Sequence, residues 1–360
     1  MAMVIAGIGT TLPPCRITQA DAAEIAKRYS CATAAQERLF LTLYRRAGVD
    51  GRNSVVLRTS EGPLDGRQSF YTSTAPTTLQ RMRKYEAEAG PLAVAAAESA
   101  LRDAGIEPGR VTHLVTVSCS GFYAPGFDIA LVKRLPLSAG VARTHIGFMG
   151  CQGALNALRV ARAFLDADPA ACVLLCALEL CSLHHQYGWD ADRIVANALF
   201  ADGAAAAVAV DEGVALARAA RYRVVASGSI VIDDSEDAMS WRIGDHGFEM
   251  TLSPRVPDLI GRHLRPWLEG WLAGHDLDLA RVGSWAVHPG GPRILAAFGE
   301  ATGLDRPAVE TSHQVLADHG NMSSPTILFI LDRLRRTDAP RPCVALAFGP
   351  GLSVEAALLA

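Results

Sequence analysis

The chain has 360 residues, half of them hydrophobic, with a mean hydropathy of +0.18 and a formal charge of −3 from 34 basic and 37 acidic side chains. That length exceeds one ordinary domain and supports a large core. The composition excludes a disordered chain, and the near balance of charge excludes nucleic acid or an anionic membrane surface as partner.

The apolar start, 1–14, has no basic residue ahead of it and no small-residue cleavage pattern behind it, so no signal peptide is expected. In chain order, strands are expected at 4–9, 113–119, 172–178, 204–210, 285–288 and 343–348, and helices at 91–104, 154–165, 256–272 and 325–335. This alternation predicts an α/β fold around a buried sheet. The most apolar run, 173–183, is too short to cross a bilayer and carries Glu179, so no membrane span is expected. Eight cysteines without a C-x-x-C pair give neither a disulfide scaffold nor a zinc site. The expectation is free thiols in a reducing cytoplasm, with no metal.

Two spacings repeat. His113-Leu-Val-Thr-Val and Ser284-Trp-Ala-Val-His begin 171 positions apart, as do Cys172-Val-Leu-Leu-Cys-Ala and Cys343-Val-Ala-Leu-Ala-Phe, and Cys151 precedes Asn321 by 170. An internal duplication is predicted, with Cys151 in a half spanning 1–215 and His288 and Asn321 in a half spanning 216–360. Cys151 and Asn321 would then occupy related helix starts near a pseudo-twofold axis.

Cys151 follows Gly150 where small residues give way to a helical apolar pattern, which reads as a strand-to-helix turn. Unpaired N–H groups and the helix dipole there favour a thiolate and a lowered pKa. His288 ends a short apolar strand and enters a Pro/Gly turn, the end of a strand where active sites gather. Asn321, in Gly320-Asn-Met-Ser-Ser, reads as a hydrogen-bond donor or as a helix N-cap. Together the three suit thioester chemistry, with the thiolate carrying an acyl group while imidazole and amide donate to a developing oxyanion. A cysteine hydrolase uses the same residue types, and residue types alone do not separate the two.

At this point the sequence resembles the chalcone synthase-like, or type III, polyketide synthases of the thiolase superfamily. The residues that carry the resemblance are Thr112-His-Leu-Val, Ser120-Gly, Pro125-Gly, Gly150-Cys151, Ala198-Leu-Phe-Ala-Asp-Gly-Ala, His288-Pro-Gly-Gly-Pro, Gly320-Asn-Met-Ser-Ser and Phe348-Gly-Pro-Gly, and they span nearly the whole chain. The resemblance implies a thiolase-like α/β fold whose two duplicated halves form a five-layer α-β-α-β-α sandwich, and a cytoplasmic homodimer. It also implies acyl-CoA and malonyl-CoA as substrates with no permanently bound cofactor.

By the same resemblance, Cys151 holds the acyl chain, while His288 and Asn321 stabilise the enolate left by decarboxylation. Phe200 matches one gatekeeper phenylalanine and Met250 stands at the other. Cys119, Cys181, His184 and Trp241 replace cavity positions of the plant members, and Ser120, Glu179 and Ser323 match cavity-lining positions. Arg46 and Arg293 are the candidates for contact with the coenzyme A phosphates. Phe348-Gly-Pro-Gly is expected to shape the site rather than react. The pocket positions look bacterial, which favours an alkylpyrone or alkylresorcinol from a medium or long acyl chain. A shorter aromatic starter or malonyl-CoA priming itself is the second choice. A single-round condensing enzyme of the ketoacyl synthase III type and a catalytically silent binding member are the alternatives.

Overall fold

The computed structural model describes residues 2–214 and 222–360, so the expected division at 215/216 lies outside the described residues. The first half runs β1 (Met3–Thr11), β2 (Arg16–Thr18), α1 (Gln19–Ser30), α2 (Ala34–Arg46), β3 (Gly51–Asn53), α3 (Thr78–Ala104), β4 (His113–Ser118), α4 (Phe127–Arg134) and β5 (Ala142–Gly147). It continues through α5 (Gly153–Ala167), β6 (Cys172–Leu180), α6 (Ala191–Leu199) and β7 (Asp202–Asp211). The second half comprises β8 (Tyr222–Val231), β9 (Met239–Gly244), β10 (Gly247–Leu252), α7 (Val256–Ala273), β11 (Ser284–Val287), α8 (Pro292–Thr302), α9 (Glu310–His319), α10 (Thr326–Arg336), β12 (Cys343–Gly349) and β13 (Ser353–Leu359).

Nine strands form one sheet in the order β11-β12-β13-β8-β1-β7-β6-β4-β5. Outward from the β1/β8 junction the two halves repeat: β1·β7 and β7·β6 are antiparallel and β6·β4 parallel, while β8·β13 and β13·β12 are antiparallel and β12·β11 parallel. His113 pairs with Val173, and Ser284 pairs with Cys343, so the segments repeated 171 positions apart occupy the same place in each half-sheet.

The layers follow from strand periodicity. All of β6 is buried, and its side chains alternate between two cores. Val173, Leu175 and Ala177 face the central core with Leu158 of α5 and Ile330 of α10, whereas Leu174, Cys176 and Leu178 face an outer core with Ala93 of α3 and Leu131 of α4. In β12, Ala345 and Ala347 face the same central core, and Val344 and Leu346 face Leu264 of α7 and Phe298 of α8. Two outer helical layers, two half-sheets and one central helical layer result, the five layers expected.

Two expectations fall short. The helix expected at 91–104 begins at Thr78, initiated by a capping box between Thr77 and Gln80, and it runs on through Pro91. Proline's preference for a first helical turn suggests a start where there is none. Strand β13 was not anticipated, because Ser353-Val-Glu-Ala-Ala-Leu-Leu has helix-forming composition and only its pairing with β12 and β8 makes it a strand.

Candidate active site

Cys151 sits between β5 and α5, in a short turn of 3-10 helix (Gly150–Gln152). Gly150 has φ +65°, and a Cβ there would lie 2.5 Å from Pro350 Cδ. The Phe348-Gly-Pro-Gly segment therefore presses directly on the cysteine turn, the shaping role expected of it. His288 follows β11 with its amide donating to Leu346 O at 2.8 Å, and the chain then turns through Gly290 and Gly291 into α8. Asn321 is not an N-cap, since α10 starts five residues later after Pro325. Its Oδ1 accepts from Ser323 N at 2.8 Å, which leaves the NH2 end for Cys151. Ser323 itself has φ +56°, an unusual backbone state for a residue with a Cβ and one that clusters at functional sites.

The structure brings the three groups to one cavity of about 520 Å³, whose lining runs from Arg46 of α2 and Arg293 of α8 to Cys151, His288 and Asn321. Both arginines are exposed, and neither has a carboxylate partner among the described residues. Leu199, Met239 and Phe348 line the cavity, and Phe200 and Met250 stand at its inner end.

Beyond them lies a space of about 20 Å³ bounded by Cys119, Cys151, Cys181, Trp241 and Ser323. A further cavity of about 120 Å³ is lined by Cys181, His184, His185, Tyr71, Trp241 and Phe248. Phe200 and Met250 border all three spaces, and Trp241 borders the two smaller ones. The Trp241 indole donates to Cys119 O at 2.7 Å, which fixes it as a partition. His184 lines the further cavity, but it bonds Ser120 O at 2.7 Å through Nε2, accepts from Phe248 N at 2.9 Å through Nδ1, and stacks on Phe248 at 4.2 Å.

Ser120 and Glu179 do not line the cavity as expected. Both are fully buried behind Cys119, with Glu179 accepting from Cys119 N, Ser120 N, Ser120 Oγ and Ser324 Oγ. Burial raises the Glu179 carboxyl above its ordinary value, and these donors oppose the shift. The parity of β6 turns Glu179 toward the central helices, where Ser324 waits. Ser324 and Met239 were not anticipated; an amphipathic count of the strands and the residues flanking Asn321 was the available signal.

Burial decides the protonation states. The Cys151 thiol is pushed up to about 11 by desolvation, against the lowering effect of hydrogen bonds from Ser323 and Asn321. His288 is pushed down to about 3 by burial, and neither ring nitrogen has a hydrogen-bond partner. Both shifts favour the uncharged forms, opposite in direction to the lowered thiol expected from a helix N-terminus. α5 begins two residues after Cys151, and loss of water outweighs the pull of its dipole.

Sequence models of the chalcone and stilbene synthase N-terminal and C-terminal domains match residues 1–212 and 223–360. The chain belongs to the chalcone and stilbene synthase family. It is a type III polyketide synthase, an acyltransferase-type enzyme of a family that uses coenzyme A thioesters and needs no permanent cofactor. It is 31% identical to the alpha-pyrone synthesis polyketide synthase-like Pks18 of Mycobacterium tuberculosis, over 99% of this chain and 90% of that protein. It is 33% identical to the 1,3,6,8-tetrahydroxynaphthalene synthase of Streptomyces peucetius subsp. caesius, over 99% and 92%. Among solved structures, PKS-I of the brown alga Ectocarpus siliculosus superposes with a TM-score of 0.94 at 29% identity, covering 99% of this chain and 98% of that one. Among the described residues no helix is long and apolar enough to cross a membrane, and no cluster of His, Cys, Asp and Glu suits a metal ion.

Proposed function

We propose that this polyketide synthase loads an acyl group from coenzyme A onto Cys151 and extends it by repeated decarboxylative condensation with malonyl-CoA. The observation that carries this reading is the single cavity shared by Cys151, His288 and Asn321 with two free arginines at its outer end. Loading forms the Cys151 thioester as the thiol proton passes to the unpartnered nitrogen of neutral His288, and the coenzyme thiolate leaves with that proton. Malonyl-CoA then loses CO2, and the resulting enolate oxygen is met by the imidazole N–H and the Asn321 amide. The enolate carbon attacks the Cys151 thioester, the cysteine sulfur departs, and a β-ketoacyl-CoA two carbons longer is released for the next round. Apolar walls keep water from the thioester. Arg46 and Arg293 supply charge for the coenzyme phosphates.

The chain divides at 215/216 into two halves, each of one thiolase-like unit, and works as a cytoplasmic homodimer. The favoured product is an alkylpyrone or alkylresorcinol from a medium or long acyl starter. The likeness to Pks18 and the cavity beyond Trp241 support it. Malonyl-CoA priming to a compact aromatic product is the second reading, favoured by the 20 Å³ left between Cys119 and Trp241 and by the likeness to the tetrahydroxynaphthalene synthase. Incubation with labelled malonyl-CoA and acyl-CoA starters of graded length, followed by mass spectrometry, tests both. Products longer than the starter by several two-carbon units support iteration. A single added unit supports the ketoacyl synthase III alternative, and no product and no acylated protein would overturn the enzyme reading.

A further inference from the structure

The loop that carries Asn321 is clamped to the end of α6. Asn321 N donates to Leu199 O at 2.8 Å, and Ala201 N donates to Asn321 O at 2.9 Å, an isolated parallel bridge centred on Phe200. Gly320 makes the approach possible: its φ is +73°, and a Cβ there would lie 2.9 Å from Ala201 Cβ and 3.0 Å from Leu199 O. One segment, 197–201, thus holds both a wall of the cavity and, through this bridge, Asn321.

A buried cation holds that segment. Arg52 of β3 is 6% exposed. Its Nη1 donates to Asn197 O at 2.9 Å and Phe200 O at 2.7 Å, and its Nη2 donates to Ala198 O at 2.5 Å and to Gln19 Oε1. Gln19 Nε2 adds a bond to Ala198 O at 3.0 Å. These carbonyls close the last turn of α6, where no helical N–H reaches them. A planar guanidinium covers several at once, and its charge suits the negative end of the helix. Among the described residues Arg52 makes no hydrogen bond to a carboxylate, and Asp202 acts on it through space. Burying a cation among carbonyls is costly. In return the segment cannot shift without breaking several bonds, and any shift carries Phe200 and Asn321 together.

We propose that Arg52 is a positioning residue of the active site, holding 197–201 so that the Asn321 amide stays against Cys151 and Phe200 stays in the cavity wall. This rests on the role given to Asn321 above. Arg52 also borders the 120 Å³ cavity, and it acts on the site through the backbone it binds.

The test reads the site without turnover. Alkylation of Cys151 by iodoacetamide is followed against pH by mass spectrometry of the cysteine peptide, because the Asn321 hydrogen bond favours the reactive thiolate. Asn321→Ala should slow alkylation roughly three- to tenfold below the titration midpoint. Arg52→Met should slow it to a similar extent, Arg52→Lys should recover part of the rate, and the double variant should be no slower than Asn321→Ala alone. Gln19→Leu loosens the same carbonyls more gently and carries the test if Arg52→Met fails to fold, which melting curves will show. A folded Arg52→Met with the wild-type profile, or effects that multiply in the double variant, would overturn the proposal. A wild-type protein that forms no polyketide would remove the proposed function and leave this result standing.

Discussion

Replacing Trp241 with alanine should lengthen the acyl chain the protein accepts. Trp241 is bounded on one side by the 20 Å³ space beside Cys119 and on the other by the 120 Å³ cavity lined by Tyr71 and His185. Its removal joins the two. The indole gives up its bond to Cys119 O and its contacts with His184, Phe200 and Phe248, so stability should fall by about 2–4 kcal/mol, the usual range for truncating a large, partly buried aromatic. Each methylene that enters an apolar space is worth about 0.8 kcal/mol. A starter two carbons beyond the wild-type optimum should therefore gain about 1.6 kcal/mol in the variant, close to 15-fold in kcat/KM relative to wild type. The assay is kcat/KM across saturated acyl-CoA starters of increasing length, with product masses recorded for each. A folded variant whose length preference matches that of the wild type would show that Trp241 does not divide the acyl path.

Asn321→Ala removes one amide donor from the oxyanion and should lower kcat about 100- to 1,000-fold with a much smaller change in KM, measured as CO2 release from malonyl-CoA; an unchanged kcat would contradict the assignment. Arg46→Ala and Arg293→Ala should each raise KM for coenzyme A thioesters while leaving kcat in place, and the effect should shrink at high salt because both side chains are exposed. Acid should destabilise the fold. His184, His185 and His288 are held down to about 3 by burial, so each gains its proton only on unfolding, and their contribution is lost as pH falls from about 6.5 toward 3. Asp202, held up to about 6, and Glu179, also raised, act in the opposite sense from about pH 6 downward, but His319, His145 and His313 are lowered too and the histidines outnumber the two carboxyls. Urea midpoints should drop between pH 7 and pH 5, and a flat or rising profile would refute the balance.

Much of the architecture was legible because the duplication repeats at nearly constant spacing, which fixes where β4 and β11, or β6 and β12, fall in each half-sheet. Cys151, His288 and Asn321 were legible because each stands among glycines and prolines that announce a turn at the end of a strand or ahead of a helix. Glu179 and Ser120 were misread as cavity groups, since only the parity of β6 and the position of α10 decide which way they face. The upward pull of burial on Cys151 was not legible for a related reason: sequence reveals a nearby helix start, whereas the loss of water depends on walls contributed by distant segments such as 199–200 and 348–350. Arg52 gave no signal at all. An arginine after Asp50-Gly51 reads as a surface residue, and its four acceptors become visible only when α6 is folded against β3.

The central claim is that Cys151 carries the growing chain, and the most direct test is to find that chain. Incubation with an acyl-CoA followed by proteolysis and mass spectrometry should place the acyl mass on the Cys151 peptide, malonyl-CoA should then discharge it into an extended product, and Cys151→Ala should show neither event. Acylation at another residue, or extended product from Cys151→Ala, would contradict the account.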